Sequence, residues 1–445
     1  MIKSKHALRT AIVAGAGVIA VMLSGCASGG GSTATTTSAA AASSYTDAAC
    51  ASGASTDKSL VVGSILPITG SLAYLNPPEL AGVGLAVSDI NAAGGVDGKD
   101  ACVLATDSGD STDLTISTAS AQKLIAAKVS VAIGAASSSV SLNVVDSFAS
   151  AKIVQISPAN TSAKLSGYGP FYFRTAPPDS VQGSALGQLI TGDGNAKVAF
   201  LVFNDSYGTG LRDFTQKSIE ASGGTVVYGG KGNGQEFPPG QTTFSSEVTA
   251  AKATNPDAIV ILAFDETKSI IPELKAQGVD LSKVYLSDGN TADYSKDFEA
   301  GTLTSAQGTI PGAYPADDFK AKLVSWYKDT QKAALGDFSY APEAYDATTL
   351  SALAALKAKS TVSADIQAQL AAVSGASGKG TKCKSYAECA PLVTAGTDIQ
   401  YVGQSGVGPF NSHNEPSSAF IGIYKFDKDN KPVWQSAIEG QTSYQ

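Results

Sequence analysis

The chain has 445 residues, with 31 Lys and Arg against 39 Asp and Glu, which gives a formal net charge of −8. An acidic balance argues against nucleic acid as a partner, because the phosphate backbone carries the same sign of charge. The length exceeds the roughly 100 to 150 residues of a typical domain, so at least two lobes are expected.

The N-terminus carries three basic residues followed by an apolar stretch over 11–23. This stretch is too short for a stable membrane span and is typical of a secretion signal. It ends in LSGC, residues 23–26, which resembles the bacterial lipobox, where the cysteine is acylated. We predict a lipoprotein signal peptide over 1–25, with a lipid on Cys26 anchoring the protein to the extracytoplasmic face of the cell membrane. The alternative is an ordinary signal peptide that ends near a cysteine by chance.

The segment 26–57 that follows consists largely of Ala, Ser, Gly and Thr. Such a composition cannot bury a core, so it predicts a flexible tether. No later apolar segment approaches the length needed to cross a bilayer. The lipid on Cys26 is therefore expected to be the only membrane anchor.

Four cysteines remain once Cys26 is assigned to the lipid, and an oxidising compartment favours disulfides between them. Three pairings are open. Cys383 and Cys389 lie six positions apart and are expected to close a small loop, which leaves Cys50 and Cys102 to join the end of the tether to an early strand. A zinc site is the alternative, but the usual CxxC and HxxxH spacings are absent.

Short β-branched runs alternate with amphipathic segments along the rest of the chain, as a parallel sheet covered by helices requires. The first series has predicted strands at 60–67, 101–110, 129–139 and 153–162, and predicted helices at 79–95, 115–128 and 141–152. The second series has predicted strands at 197–205, 225–230, 257–264 and 283–290, and predicted helices at 181–190, 211–224, 244–256 and 267–278. Two doubly wound α/β lobes in tandem are the simplest account.

Ten stretches carry a family resemblance over residues 60–434: GSILPITGSLA, AVSDINAAGGVDGK, IGAASSS, ISPANTS, FRTAPPD, NDSYGTG, NPDAIVILAF, YLSDG, YAPEAYDATTLSALAAL and GVGPF. Their order and spacing together resemble the type I periplasmic-binding proteins of the branched-chain amino-acid receptor group. The resemblance implies two parallel-sheet lobes joined by a three-crossover hinge, with crossings near 176–178, 310–312 and 420–421. Lobe 1 would then comprise 58–177 and 312–420, and lobe 2 would comprise 178–311 and 421–445.

Ligands of open α/β sheets bind beyond the carboxyl ends of the strands, where Ser138 and Thr161 are expected to lie. The resemblance implies that Ser138 binds an amino acid's α-carboxylate through its hydroxyl group, that Thr161 supplies a second donor and that Ala159 lies beside them. A helix N-terminus adds partial positive charge for an anion. The alternative for each hydroxyl is a helix N-cap that satisfies its own backbone.

On the opposite lobe, the resemblance places Asp288 of YLSDG where the family carries an acidic residue that pairs with the ligand's ammonium group. Asp is shorter than the family's Glu, so the ligand would sit closer to this wall or reach it through water. The alternative is a solvated turn aspartate before Gly289. The other expected cleft residues are Tyr207 and Phe264, which lacks the hydroxyl of a related tyrosine, and packed core is the alternative for both. Tyr74 or Leu75 is expected beside the ligand side chain, and the NPP that follows departs from the family pattern and leaves the register between these two residues open.

Two segments depart from the family pattern, one at 232–244 around Phe237 and one at 375–389. Both are expected to be surface loops. They leave the fold prediction unchanged and bear on which ligand is bound.

An exported hydrolase on a similar frame is the enzymatic alternative. The chain has only two histidines, His6 and His413, and it lacks both the GxSxG nucleophile elbow and the P-loop pattern. We therefore predict a protein that is not an enzyme and has no metal or other cofactor. The resemblance implies a monomeric substrate-binding lipoprotein that serves an ABC permease and binds a branched-chain amino acid by default, or an amide or urea-like compound. A ligand-sensing lipoprotein for a signalling partner is the other alternative.

Overall fold

The structure is a computed structural model that describes residues 45, 48–51 and 59–441. The predicted signal peptide, the lipidation site Cys26 and most of the predicted tether lie outside the described residues.

The first sheet is built from β1 (Val61–Leu66), β2 (Cys102–Asp107), β3 (Val131–Gly134), β4 (Gln155–Ser157) and β5 (Tyr172–Arg174). All of its strands run parallel, in the spatial order β2-β1-β3-β4-β5. Every residue of the central strands β1 and β3 is buried, as expected where helices cover both faces of a parallel sheet.

The second sheet is built from β6 (Lys197–Val202), β7 (Thr225–Tyr228), β8 (Ala258–Leu262), β9 (Val284–Leu286), β10 (Gln307–Pro311), β13 (Ser418–Phe426) and β14 (Pro432–Gln441). Its parallel part has the order β7-β6-β8-β9-β10, which repeats the winding of the first sheet. Beyond the predicted parallel strands, β13 and β14 extend this sheet as an antiparallel hairpin. A hairpin needs only a short turn, whereas a parallel neighbour needs a long crossover.

The helices are α1 (Asn76–Ala92), α2 (Leu114–Ala126), α3 (Ser138–Ser150), α4 (Asp179–Gly192), α5 (Ser206–Ala221), α6 (Ser245–Ala253), α7 (Thr267–Ala276), α8 (Asp317–Gln331), α9 (Ala341–Ala358), α10 (Ser363–Ser374) and α11 (Tyr386–Thr394). Short 3-10 turns lie at Ala73–Leu75, Ala163–Leu165 and Leu281–Lys283. Helix α1 begins three residues before the predicted start at Glu79, because proline is well accommodated in a first helical turn.

Helix α1 packs closely on α9 and α8 because two of its residues lack side chains. A Cβ atom on Gly82 would lie 2.3 Å from the carbonyl oxygen of Ala341, and one on Gly84 would lie 2.1 Å from the ring of Trp326. The core accordingly forms two main clusters. One lies around the first sheet with α1 and α9, and the other lies around the second sheet.

The chain passes between the two sheets at three places in the described residues. It leaves β5 at Arg174 and enters α4, which packs against β10, β13 and β14. It leaves β10 at Pro311 and enters α8, which packs against α1. It returns to the second sheet at Ser418, so the predicted third crossing at 420–421 lies within β13.

The prediction of surface loops holds for 232–244, which is a mostly exposed loop anchored by buried side chains, and fails for 375–389, which contains a strand and the start of a helix. Phe237 is 2% exposed and pairs with Phe203 as an extra bridge beside β6, which fixes the segment 232–244 to the core. In the segment 375–389, β11 (Thr381–Cys383) pairs in parallel with β12 (Ile399–Tyr401), and Tyr386 is buried. The buried aromatic side chains of Phe237 and Tyr386 attach the two segments to the core.

Both expected disulfides are present. Cys50 is bonded to Cys102 with a Cα–Cα distance of 4.8 Å, and Cys383 is bonded to Cys389 with a Cα–Cα distance of 5.4 Å. Among the described residues, no helix is both long and apolar enough to cross a bilayer, and no group of His, Cys, Asp and Glu side chains could hold a metal ion.

Candidate functional site

A small cavity lies where the carboxyl ends of β3 and β4 face those of β8 and β9. Its volume is about 20 Å³, which is room for roughly one water molecule. The predicted residues that line it are Leu75, Ser138, Ala159, Thr161, Tyr207, Phe264 and Asp288. The structure therefore brings seven of the eight predicted cleft residues around one space, drawn from both sheets.

Ser138 lies on the wall formed by the first sheet. Its Oγ accepts the backbone N–H groups of Thr161 at 3.3 Å and Ser162 at 3.2 Å. Because the oxygen is used as an acceptor twice, the hydroxyl hydrogen remains available for a third partner. The N-cap of α3 is instead Ser137, whose Oγ accepts from the Val140 N–H at 3.5 Å. The capping alternative therefore belongs to the residue before Ser138.

Thr161 follows β4 on the same wall. Its Oγ1 is buried, and its hydroxyl group interacts with the buried carboxyl group of Asp179. The neighbouring Asn160 holds this loop in place, because its amide donates to Ser141 Oγ at 2.6 Å and its carbonyl accepts from the Tyr172 hydroxyl. The side chains of Ser138 and Thr161 thus lie together along this wall of the cavity.

Asp288 lies on the opposite wall, after β9, and is 7% exposed. Its Oδ1 lies 2.5 Å from the Tyr207 hydroxyl and accepts from Gln182 Nε2 at 2.8 Å, and its Oδ2 accepts from the Tyr340 hydroxyl at 2.6 Å. Each carboxylate oxygen accepts about two hydrogen bonds, so one acceptor position on Oδ2 stays open. The carboxylate is held by side chains from three helical segments and is not a solvated turn residue.

Burial raises the pKa of Asp288, and the hydrogen bonds from Tyr207, Tyr340 and Gln182 oppose that rise. A cation beside the open position on Oδ2 would lower the pKa and favour the charged form. The wall is therefore suited to a positively charged ligand group, which would donate to the open acceptor position of Asp288 and balance its charge.

Aromatic and aliphatic side chains close the remaining sides. The rings of Tyr207 and Phe264 stack with their centroids 5.4 Å apart and an interplanar angle of 15°. Leu72 and Leu75 face them across the cavity. Tyr74 stands outside this lining, and its hydroxyl donates to the backbone carbonyl of Asp288 at 2.9 Å. Of the two residues proposed from the sequence, only Leu75 faces the cavity.

The two walls touch directly beside the cavity. The hydroxyl oxygens of Ser139 on α3 and Ser206 on α5 lie 2.9 Å apart, and Ser162 Oγ donates to the Ser206 carbonyl at 3.2 Å. A ligand larger than water can therefore enter only if the walls separate, which small polar contacts of this kind permit.

Sequence reasoning missed three contributors to the site. Tyr340 stands directly before α9 with φ of +60°, and its ring lines the cavity. Gln182 reaches Asp288 from the buried face of α4, and Leu72 lies four positions before the start of α1. The stretch YAPEAYD contained Tyr340, but only the packing of α9 brings it to Asp288.

A family model described as "Periplasmic binding protein" matches residues 59–388, well over half of the chain. The chain is 25% identical over 402 residues to the Leu/Ile/Val-binding protein homolog 1 of Brucella abortus, covering 89% of this chain and 96% of that one. It is 24% identical over 382 residues to the chemotactic signal transduction system substrate-binding protein BasB of Halobacterium salinarum, covering 81% and 86%.

The fold is similar to that of the branched-chain amino-acid transporter substrate-binding protein LivJ of Streptococcus pneumoniae in complex with isoleucine. The TM-score is 0.69 at 23% identity, covering 86% of this chain and 100% of that one. These relatives are solute-binding proteins and not enzymes, in agreement with the prediction of a non-catalytic protein. The chain belongs to the periplasmic binding protein family, as a type I member of the group that includes the branched-chain amino-acid receptors.

Proposed function

We propose that the chain binds a zwitterionic amino acid with an apolar side chain in the cavity between its two sheets. The observation that carries the proposal is the division of polar groups between the walls. Ser138 and Thr161 offer hydroxyl groups on one side, and Asp288 offers a carboxylate on the other. A negative and a positive group on one small ligand would match this arrangement.

The ligand's carboxylate would meet the Ser138 hydroxyl and the Thr161 hydroxyl, near the start of α3, where the helix dipole favours an anion. Its ammonium group would donate to Asp288 Oδ2, and a charge-assisted bond of this kind is stronger than a neutral one. Leu72, Leu75 and Phe264 would surround the side chain. Leucine, isoleucine and valine are the default ligands, and the curated relatives named for these amino acids support that choice.

Binding would favour the closed arrangement, because only there do both walls touch the ligand. We propose hinge segments at 176–178, 310–312 and 420–421, dividing lobe 1 (58–177 and 312–420) from lobe 2 (178–311 and 421–445). The closed protein would present its ligand to an ABC permease. A lipid on Cys26 would hold the protein, as a monomer, at the extracytoplasmic face of the membrane.

A thermal-shift screen over leucine, isoleucine, valine, small amides and urea tests the ligand. A saturating ligand raises the melting temperature because it binds the folded state alone. Leucine and its branched analogues should raise it, and N-acetyl-leucine amide, which lacks both charges, should not. An equal response to the neutral amide would remove the zwitterion from the proposal and favour an amide or urea-like ligand.

A second candidate is a sensory role, favoured by the similarity to the chemotactic substrate-binding protein BasB. The same cleft would serve either role, because a closed form can dock on a permease or on a receptor. Uptake of labelled leucine by cells lacking the chain separates the two. Loss of uptake supports the permease, and normal uptake with lost taxis or signalling supports the sensor.

A further inference from the structure

A second cavity lies beside the candidate cleft and is far larger, at about 390 Å³ against about 20 Å³. It is lined by the end of β10 with Gly312 after it, and by Tyr424, Lys431 and Pro432 of the β13–β14 hairpin. Tyr340 separates the two cavities, because its side chain lines both of them. We call this second space the hinge pocket.

Glu343 lines the hinge pocket and is 1% exposed. Its Oε1 is buried without a hydrogen-bond partner and faces Gly312, where a Cβ atom would lie 2.3 Å from it. Gly312 has φ of +105°, so glycine suits both the backbone conformation and the close approach. A buried carboxyl oxygen without a partner is costly, and a ligand donor in the pocket would relieve that cost.

Two further carboxyl groups line the same pocket, Asp337 and Asp293. Ser339 donates to Asp337 through its N–H at 2.9 Å and through its hydroxyl at 2.7 Å. Lys431 is the basic residue of the lining, and its Nζ lies 3.3 Å from Asp293 Oδ2, so it is already paired. The other acidic groups of the lining, Glu343 and Asp337, are both carboxyl groups whose pKa burial raises, so each can accept a proton or meet a cationic ligand group.

The other walls are mainly apolar rings, contributed by Phe338, Tyr340, Tyr424 and four prolines. Aromatic faces attract organic cations through the ring quadrupole, and the attraction grows when water is excluded. Burial raises the pKa of Glu343 well above its usual range, and a cation held beside Oε1 would oppose that rise. The chemistry of the walls and of the carboxyl group therefore points to the same class of ligand.

We propose that the hinge pocket is a second binding site, which takes a small organic cation with an apolar body. The ammonium group would lie against Glu343 and Asp337, and the apolar body would lie among the rings. This site is separate from the amino-acid cleft proposed above, because Ser138, Thr161 and Asp288 do not line it and the two cavities share only the wall formed by Tyr340.

Calorimetry with phenethylammonium on the purified protein tests the site, with 2-phenylethanol as the neutral probe of similar shape. We expect saturable binding of the amine and at least tenfold weaker binding of the alcohol. Glu343→Gln should weaken amine binding about tenfold or more and Asp337→Asn about threefold. Ser138→Ala, in the cleft, and Glu220→Gln, on an exposed part of α5, should leave it unchanged.

The comparison of variants distinguishes the two cavities. Amine binding that survives Glu343→Gln and Asp337→Asn but falls in Ser138→Ala would place the amine in the cleft and overturn the proposal. Absence of saturable amine binding, or equal affinity for amine and alcohol, would also overturn it. If Glu343→Gln does not fold, Asp337→Asn still tests the site, because Asp337 lies in a half-buried loop where the substitution should be tolerated.

Discussion

The Tyr340 hydroxyl donates a hydrogen bond of 2.6 Å to Asp288 Oδ2, which joins the residue before α9 to the end of β9. These residues are 52 positions apart and belong to elements that pack on different sheets. The position of the candidate ammonium partner therefore depends on both halves of the molecule. Ligand specificity and closure of the cleft should respond together to changes at either residue.

Replacing Asp288 tests the acidic wall. Asp288→Ala should weaken binding of leucine by about 2 kcal/mol or more, because it removes the charge partner and the acceptor of the Tyr340 hydroxyl. Tyr340→Phe should weaken binding less, since it removes one donor and keeps the charge. Titration calorimetry measures both affinities, and unchanged affinity in Asp288→Ala would remove this residue from the site.

Alanine variants of the adjacent residues Ser137 and Ser138 should distinguish helix capping from ligand binding. Ser138→Ala should weaken leucine binding by about 1 kcal/mol with the loss of one hydrogen bond. Ser137→Ala should leave affinity unchanged and lower the free energy of unfolding by about 1 kcal/mol through loss of the N-cap. Calorimetry and urea denaturation on the same two variants decide this, and the reverse pattern would shift the site by one residue.

The pH dependence of stability should carry the signature of Asp179. This carboxyl group is fully buried, and burial raises its pKa to about 8, although a hydrogen bond with the Thr161 side chain opposes the rise. The folded state then binds more protons than the unfolded state between about pH 4 and pH 8, so stability falls as pH rises through that window.

Asp179→Asn should remove this contribution, so the variant should gain stability relative to the original chain between pH 5 and pH 8. Urea unfolding at the two pH values measures the change, with the exposed Asp100→Asn as the control. A parallel pH dependence in the original chain and in Asp179→Asn would show that Asp179 titrates as it does in the unfolded chain.

The two disulfides should differ in their contribution to stability because they close loops of different length. Cys50 and Cys102 are 52 positions apart, whereas Cys383 and Cys389 are six apart. Loop-closure entropy of the unfolded chain predicts a loss of about 4 kcal/mol for the paired Ser replacement of the first and about 2 kcal/mol for the second. Equal losses in denaturant titrations would show that local packing, and not loop length, governs their effect.

Periodicity and motif order were enough to predict the α/β class and the repeated winding, because buried parallel strands and amphipathic helices leave a local signal. The residues that contact Ser138 and Asp288 in the folded protein left no such local signal in the sequence. Phe237 and Tyr386 show the limit most clearly. Both lie in Gly-rich or polar stretches that suggested surface loops, and both are buried by contacts with distant segments.

The sequence by itself determined the alternation of strands and helices, the family, and the residue types that one wall of a ligand site requires. Tertiary structure alone decided that Ser137 caps α3 while Ser138 accepts the N–H groups of Thr161 and Ser162, that Tyr340 and Gln182 hold Asp288, and that Glu343 borders a second pocket. The physical reason is the distance along the chain between the residues that interact. Helix and strand patterns arise from neighbours within a few residues, whereas a cavity forms where segments far apart in the chain pack together.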